Sequence, residues 1–168
     1  MKWLESCLIA ISMYSKIPVP QVEWTKEKMS HAMCFFPLIG VVMGAALWLT
    51  ALIGENVHTL EEGSLLWAVM GTILPLLITG GIHLDGYLDT VDALSSHQTR
   101  EKKLAIMKDA NCGAFAVIYG GVYLLAYAGF AYEVFAAGHI LLICPLFVLS
   151  RALSGLCAVN LPNARKSG

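Results

Sequence analysis

Charge is what this sequence has least of. Only 14% of its 168 residues are Asp, Glu, Lys or Arg, against 57% hydrophobic ones, and the mean hydropathy is +0.67. A soluble domain carries about 25% charged residues, so a soluble globular fold is excluded and an integral membrane protein of one domain, residues 1–168, is expected. The net charge of -1 leaves no basic surplus for nucleic acid. The five cysteines (Cys7, Cys34, Cys112, Cys144 and Cys157) form no CxxC or Cys/His cluster. That excludes a zinc ribbon and a disulfide framework, and four of them lie in apolar runs, where small buried residues are expected. The first apolar stretch runs into Lys16-Ile17-Pro18-Val19-Pro20 with no small-residue cleavage site, so no secretory signal is expected. No repeat or low-complexity segment is present.

The apolar residues fall into four long runs, about 32–54, 63–84, 113–132 and 138–159. Each has the roughly 20 residues that cross about 30 Å of hydrocarbon. Gly40 and Gly44 form a small-xxx-small pair that suits close helix packing. Pro37, Pro75 and Pro145 lie within the runs and free carbonyls that neighbours must satisfy. Ahead of the runs, residues 2–17 read as an amphipathic helix. Trp3, Cys7, Ala10, Tyr14 and Ile17 form one stripe, flanked by Leu4, Leu8 and Ile11, and Lys2, Glu5, Ser12 and Lys16 lie opposite. Ile9 and Met13 interrupt the polar face. Its length suits a helix lying in the membrane interface, ended by Pro18 and Pro20, with residues 21–31 completing a cytosolic arm. The fold class expected is therefore all-α: a polytopic membrane protein of about four transmembrane helices plus an N-terminal interfacial helix.

Loop charge predicts the orientation. The 55–62 and 133–138 loops carry Glu55, Glu61, Glu62 and Glu133 and no Lys or Arg. Lys2, Lys16, Lys26 and Lys28, then Arg100, Lys102, Lys103 and Lys108, then Arg165 and Lys166 all fall on the other side of a four-span chain. By the positive-inside rule that side is cytosolic.

Aspartate is also scarce, and its distribution is the main functional signal. The chain has four, and all lie between Asp85 and Asp109. Asp85, Asp89 and Asp92 are spaced i, i+4, i+7, which on a helix puts them within an arc of about 60°. Three carboxylates on one face repel one another, and a hard cation such as Mg²⁺ relieves this with oxygen ligands. The plain alternative is a solvated acidic helix end. Gly81 and Ser96 extend the same stripe and are small enough for a ligand to approach. Residues 85–112 are the one sizeable polar insertion, expected to begin as a helical continuation of the second span, with Gly80 and Gly81 free to kink the junction.

Arg100, Lys102 and Lys103, then Lys108 and Asp109 at the re-entry to the membrane, place cations beside the carboxylates. That combination suits a phosphate or diphosphate substrate, although ordinary positive-inside topology also accounts for the first three. Asp109 reads as a further metal ligand or a base. Arg151 is the one Lys or Arg within an expected span, where a charge is costly and faces protein or snorkels to the edge. It reads as a phosphate or carboxylate partner. His83, two residues before Asp85, reads as a ligand, a base or a structural hydrogen-bonder.

The stretch Gly80-Gly81-Ile82-His83-Leu84-Asp85-Gly86 through Asp92, with Ile106-Met107-Lys108-Asp109 and Gly113, resembles the cobalamin synthase family. Lys16-Ile17-Pro18-Val19-Pro20, Phe36-Pro37-Leu38-Ile39-Gly40 and Ser150-Arg151-Ala152-Leu153-Ser154-Gly155 are similar to the same family, across nearly the whole chain and in order. The resemblance implies a multi-pass enzyme of a prokaryotic cytoplasmic membrane, Mg²⁺-dependent, joining adenosylcobinamide-GDP to alpha-ribazole or its phosphate with release of GMP. It also implies further spans beyond Gly168, so the chain is expected to be short at the C-terminus. Oligomeric state, a homo-oligomer included, is left open. Two rivals stand beside this reading. A CDP-alcohol phosphotransferase would show Ala-Arg soon after Asp-Gly, where Asp89 and Thr90 stand here. A cation transporter would more often hold its carboxylates at mid-span.

Overall fold

The computed structural model describes residues 2–56 and 65–162. Residues 57–64 and 163–168, which carry Glu61, Glu62, Arg165 and Lys166, lie outside the described residues. Eight α-helices follow in order: α1 (Lys2–Tyr14), α2 (Lys26–Ala32), α3 (Phe36–Asn56), α4 (Leu65–Thr79), α5 (Ile82–Ser95), α6 (Arg100–Ile106), α7 (Ala114–Ala136) and α8 (Ile140–Asn160). A 3-10 turn, Met33–Phe35, joins α2 to α3. There is no strand among the described residues, so the all-α expectation is borne out. Among the described residues, three helical stretches are long and apolar enough to cross a membrane: Lys26–Ile53, Ala114–Ala136 and Ile140–Asn160. The α4–α5 pair makes a fourth only if counted as one span bent by 94°.

The chain divides into two compact units, one of Met1–His58 with His139–Gly168 and one of Thr59–Gly138. In the first, α3 and α8 pack along a stripe of Phe36, Ile39, Met43 and Leu47, all buried. The sequence allows this because Gly40 and Gly44 carry no side chain toward α8. A Cβ on Gly40 would stand 2.6 Å from the Phe147 carbonyl oxygen, and one on Gly44 would stand 3.0 Å from that of Cys144. The Cys144 thiol donates to the Gly44 carbonyl at 3.2 Å. Contacts between Gly155 and Phe36 continue the line, so residue numbers rise along α3 as they fall along α8.

The N-terminal arm packs on α2 in part through the face that the sequence reads as polar. α1 buries Ser6, Ile9 and Ala10 against Ala32, with Met13, Val22 and Phe35 packed around them. Ile9, read from the sequence as a break in a polar face, is fully buried, while Trp3 and Leu4 of the expected apolar stripe are 63% and 66% exposed. The polar Ser6 is tolerated there because its hydroxyl donates to the Lys2 carbonyl at 3.0 Å. Salt bridges from Lys28 to Glu5 (2.6 Å) and from Lys2 to Glu27 (2.9 Å) tie α1 to α2. Thr25 caps α2 by accepting from the Lys28 N–H.

In the second unit, α4 buries the small face Ala68, Gly71, Pro75 and Thr79 and packs on α7. Its 15 described residues amount to about 22 Å at 1.5 Å each. The expected span over 63–84 does continue as a helix into the polar insertion, but with the bend that Gly80 and Gly81 allow: α4 ends at Thr79 and α5 leaves at 94°. The cause is local. Gly80 and Gly81 have φ of 64° and 77°, and the Gly81 N–H reaches back to the Leu76 carbonyl at 3.0 Å. This is a helix-ending bond across a left-handed pair, which a Cβ disfavours. Gly81 then starts the next helix, its carbonyl accepting from the Asp85 N–H at 2.9 Å. A Cβ on Gly81 would meet nothing within 4 Å. Gly81→Ala therefore tests the backbone alone, and thermal unfolding in detergent is expected to show a loss of about 1–2 kcal/mol. No change in the midpoint would mean the corner is not held by glycine. The loop expected at 133–138 begins later, since α7 runs to Ala136 and Gly138 (φ 68°) follows its end.

Candidate functional site

The corner at Gly80-Gly81 determines what α5 can do. Instead of carrying the aspartates onward along the line of α4, the turn lays them along a separate helix whose other face rests on α7. Three contacts fix that rest. Tyr87 meets Tyr123 with ring centroids 5.5 Å apart. Leu88 lies over Gly120, where a Cβ would stand 2.9 Å from its Cδ2. The Asp92 carboxylate lies against Gly113, the residue that starts α7. Positions rise along α5 as they fall along α7, and Ala93 is buried on a further side.

With Tyr87 and Leu88 committed to α7, the Asp85 end of the Asp85–Asp89–Asp92 stripe is left outward, while Asp92 at the other end rests on Gly113. Asp85 is exposed, and Asp89 and Asp92 are half-buried. Among the described residues, no salt bridge and no side-chain hydrogen bond engages any of the three. A run of unpaired carboxylates is an electrostatic cost that a bound cation would offset. The donor set is all oxygen, which fits Mg²⁺. The arrangement is a stripe and not a nest: among the described residues, no three His, Cys, Asp or Glu side chains converge on one metal position. Neighbouring pairs, Asp85 with Asp89 or Asp89 with Asp92, are the units that can share an ion. Mg²⁺ commonly takes only one or two carboxylates and completes its shell with water and substrate phosphate.

The other residues singled out by the sequence divide into those beside the stripe and those apart from it. Gly81 is the N-cap of α5 and Ser96 its C-cap. The Ser96 hydroxyl donates to the Ala93 carbonyl at 2.7 Å, so it finishes its own helix. His83 is half-buried and, by helical phase, lies about 160° round α5 from Asp85. Arg100 opens α6 and is exposed. Lys108 and Asp109 follow that helix, both exposed. One Asp109 oxygen accepts from the Asn111 backbone N–H at 3.0 Å and from its side-chain amide at 2.7 Å. These bonds favour the ionised form and hold the Asp109 carboxyl below the usual carboxylate range. Arg151 belongs to the other unit. There its guanidinium sits 5.9 Å from the centre of the Phe36 ring and 3.7 Å from the Met43 sulfur. The pairing of Asp92 with Gly113 has no signal in the sequence, since two residues 21 apart show no common periodicity.

Comparison with known proteins identifies the family. A family model described as cobalamin-5-phosphate synthase matches residues 6–168. An adenosylcobinamide-GDP ribazoletransferase of Lachnoclostridium phytofermentans is 51% identical over all 168 residues, which are 63% of that protein's length. Enzymes of the same name from Desulfitobacterium hafniense and Clostridium perfringens are 42% and 37% identical over 119 and 123 residues. Those alignments cover 70% and 73% of this chain, and 45% and 47% of the relatives. No solved structure matches. With its helical membrane architecture, its carboxylate stripe and a match over nearly its whole length, the chain belongs to the cobalamin-5-phosphate synthase family.

Proposed function

We propose that this chain carries the metal and phosphate-binding part of a membrane transferase that joins adenosylcobinamide-GDP to alpha-ribazole, or its phosphate, and releases GMP. The observation that carries the reading is the unpaired Asp85–Asp89–Asp92 face of α5, in a chain of this family. Mg²⁺ bound there would supply charge neutralisation for a diphosphate. Asp89 is the carboxylate common to both neighbouring pairs and has the largest part in holding it. Arg100 and Lys108, exposed in the same unit, would meet phosphate oxygens that the metal leaves uncovered. A hydroxyl oxygen of the ribazole attacks the phosphorus on the cobinamide side and gives up its proton to solvent, and any phosphate already on the ribazole stays untouched. The bond to the bridging oxygen breaks, and GMP leaves with the bonding electrons. Such a transfer depends mainly on positioning and on charge neutralisation. The reaction so written does not call on Arg151, which lies beside Phe36 and Met43 in the other unit. Loop charge supports a cytosolic active face in the cytoplasmic membrane of a prokaryote.

The test is Mg²⁺-dependent GMP release from adenosylcobinamide-GDP and alpha-ribazole phosphate in membranes carrying this chain. A parallel sample would carry the chain extended to the length of the Lachnoclostridium phytofermentans relative. Turnover in either sample, lost on chelation, is expected. Turnover in neither would overturn the assignment and favour cation flux as the next assay.

A further inference from the structure

Gly113 precedes the first turn of α7 with φ −79° and ψ 165°. Any amino acid adopts that conformation, so the backbone does not call for glycine there. Space does. The nearest atoms to a Cβ built on Gly113 would be the two carboxylate oxygens and the Cγ of Asp92, all in overlap. A single side chain occupies the place where any other residue would put its own. Asp92 is accordingly half-buried while Asp85, at the far end of the stripe, is exposed.

We propose that Gly113 is a positioning residue: by carrying no side chain it lets the Asp92 carboxylate rest against the start of α7, and that seat sets the direction in which the stripe presents its inner end to a divalent cation. The inference rests on the metal-binding reading of α5 and adds to it a residue on another helix. It also separates the three aspartates by role. Asp85 is presented outward on α5 alone, whereas Asp92 is presented through a contact between α5 and α7. Because the obstruction would fall on the flexible end of Asp92 and not on backbone, Gly113→Ala turns that carboxylate away, with Tyr87 and Leu88 still holding α5 to α7.

Two measurements on the detergent-solubilised chain decide the matter. The first is carbodiimide labelling of carboxylates, read residue by residue by mass spectrometry. Asp92 is expected to label several-fold more slowly than Asp85, and Gly113→Ala to bring the two rates together. The second is Mn²⁺ binding, followed by the paramagnetic resonance signal of the free ion. Gly113→Ala is expected to weaken it about tenfold, as changes to residues that orient metal ligands commonly do, with no further loss when added to Asp92→Asn. The proposal is overturned if the labelling ratio is unchanged, if Mn²⁺ affinity is unchanged, or if Gly113→Ala costs as much without the Asp92 carboxylate as with it. A wild-type chain that binds no Mn²⁺ overturns it together with the metal reading. Mn²⁺ binding without GMP release sinks the proposed reaction alone.

Discussion

Asp89→Asn is expected to lower Mg²⁺-dependent GMP release at least about a hundredfold, and to lower it more than Asp85→Asn does. The ranking comes from the helix. Asp85 and Asp92 are seven residues apart on α5, about 10.5 Å along its axis, too far to share one ion. Asp89 lies one turn from each. Its removal leaves two isolated carboxylates, whereas removal of Asp85 leaves the Asp89–Asp92 pair intact. The Asp→Asn change keeps the shape and one oxygen but removes the charge, so packing of α5 on α7 through Tyr87 and Leu88 is unaffected. The measurement is initial rate against Mg²⁺ concentration for wild type and both variants in the same membranes. In Asp85→Asn, a raised Mg²⁺ requirement with most of the maximal rate retained is the expected pattern. Equal losses in the two variants would mean that Asp85 and Asp89 serve one site together, contrary to the ranking. Full activity in Asp89→Asn would remove the metal from this face.

The largest expected effect on stability is at Gly40. A Cβ there would stand 2.6 Å from the Phe147 carbonyl oxygen and 2.7 Å from the Phe147 carbonyl carbon and the Val148 Cα. These are backbone atoms of α8 and cannot rotate away, so even Gly40→Ala must push the two helices apart. Overpacking of this kind costs about 1–3 kcal/mol, and Gly40→Leu is expected at or beyond the top of that range. Gly44→Ala should cost less, since its Cβ would meet Cys144 at 3.0–3.2 Å. Gly121 and Gly129 of α7 provide the contrast, with nothing within 4 Å of an added Cβ. Alanine there should be neutral or stabilising by up to about 1 kcal/mol, because glycine is a poor helix former. Thermal unfolding of the four alanine variants in one detergent tests the order. If Gly40→Ala proved as stable as Gly121→Ala, the close approach of α3 and α8 would be wrong. Dispersion across such a contact is the main attraction available, because lipid and leucine are equally apolar and burial itself adds little within a bilayer.

How much of this was legible in the sequence varied with the kind of question. Membrane character, the number of long apolar runs, the Gly40–Gly44 pair and the i, i+4, i+7 carboxylates all depend on composition or local spacing, and α3, α7, α8 and α5 follow them. The glycine pair at 80–81 was visible as a place where the chain could bend. That it turns by 94°, and so shortens α4 and frees α5, depends on two consecutive positive φ values, which glycine permits but does not require. The contact of α1 with α2 was not legible for a related reason. Trp3, Leu4 and Ile9 are all apolar, and hydropathy ranks how strongly each avoids water without naming the neighbour it will meet. The salt bridges to α2 and the fit of Ser6, Ile9 and Ala10 against Ala32 made the choice.

The sequence by itself determined the class of protein, its family and the helix face that carries the aspartates, because each is written in residues near one another along the chain. Only the tertiary structure decided which carboxylate faces outward and which is seated on another helix. Asp92 meets Gly113 because α5 lies back along α7, and a contact between residues so far apart in sequence follows from the path of the backbone, which no local pattern encodes.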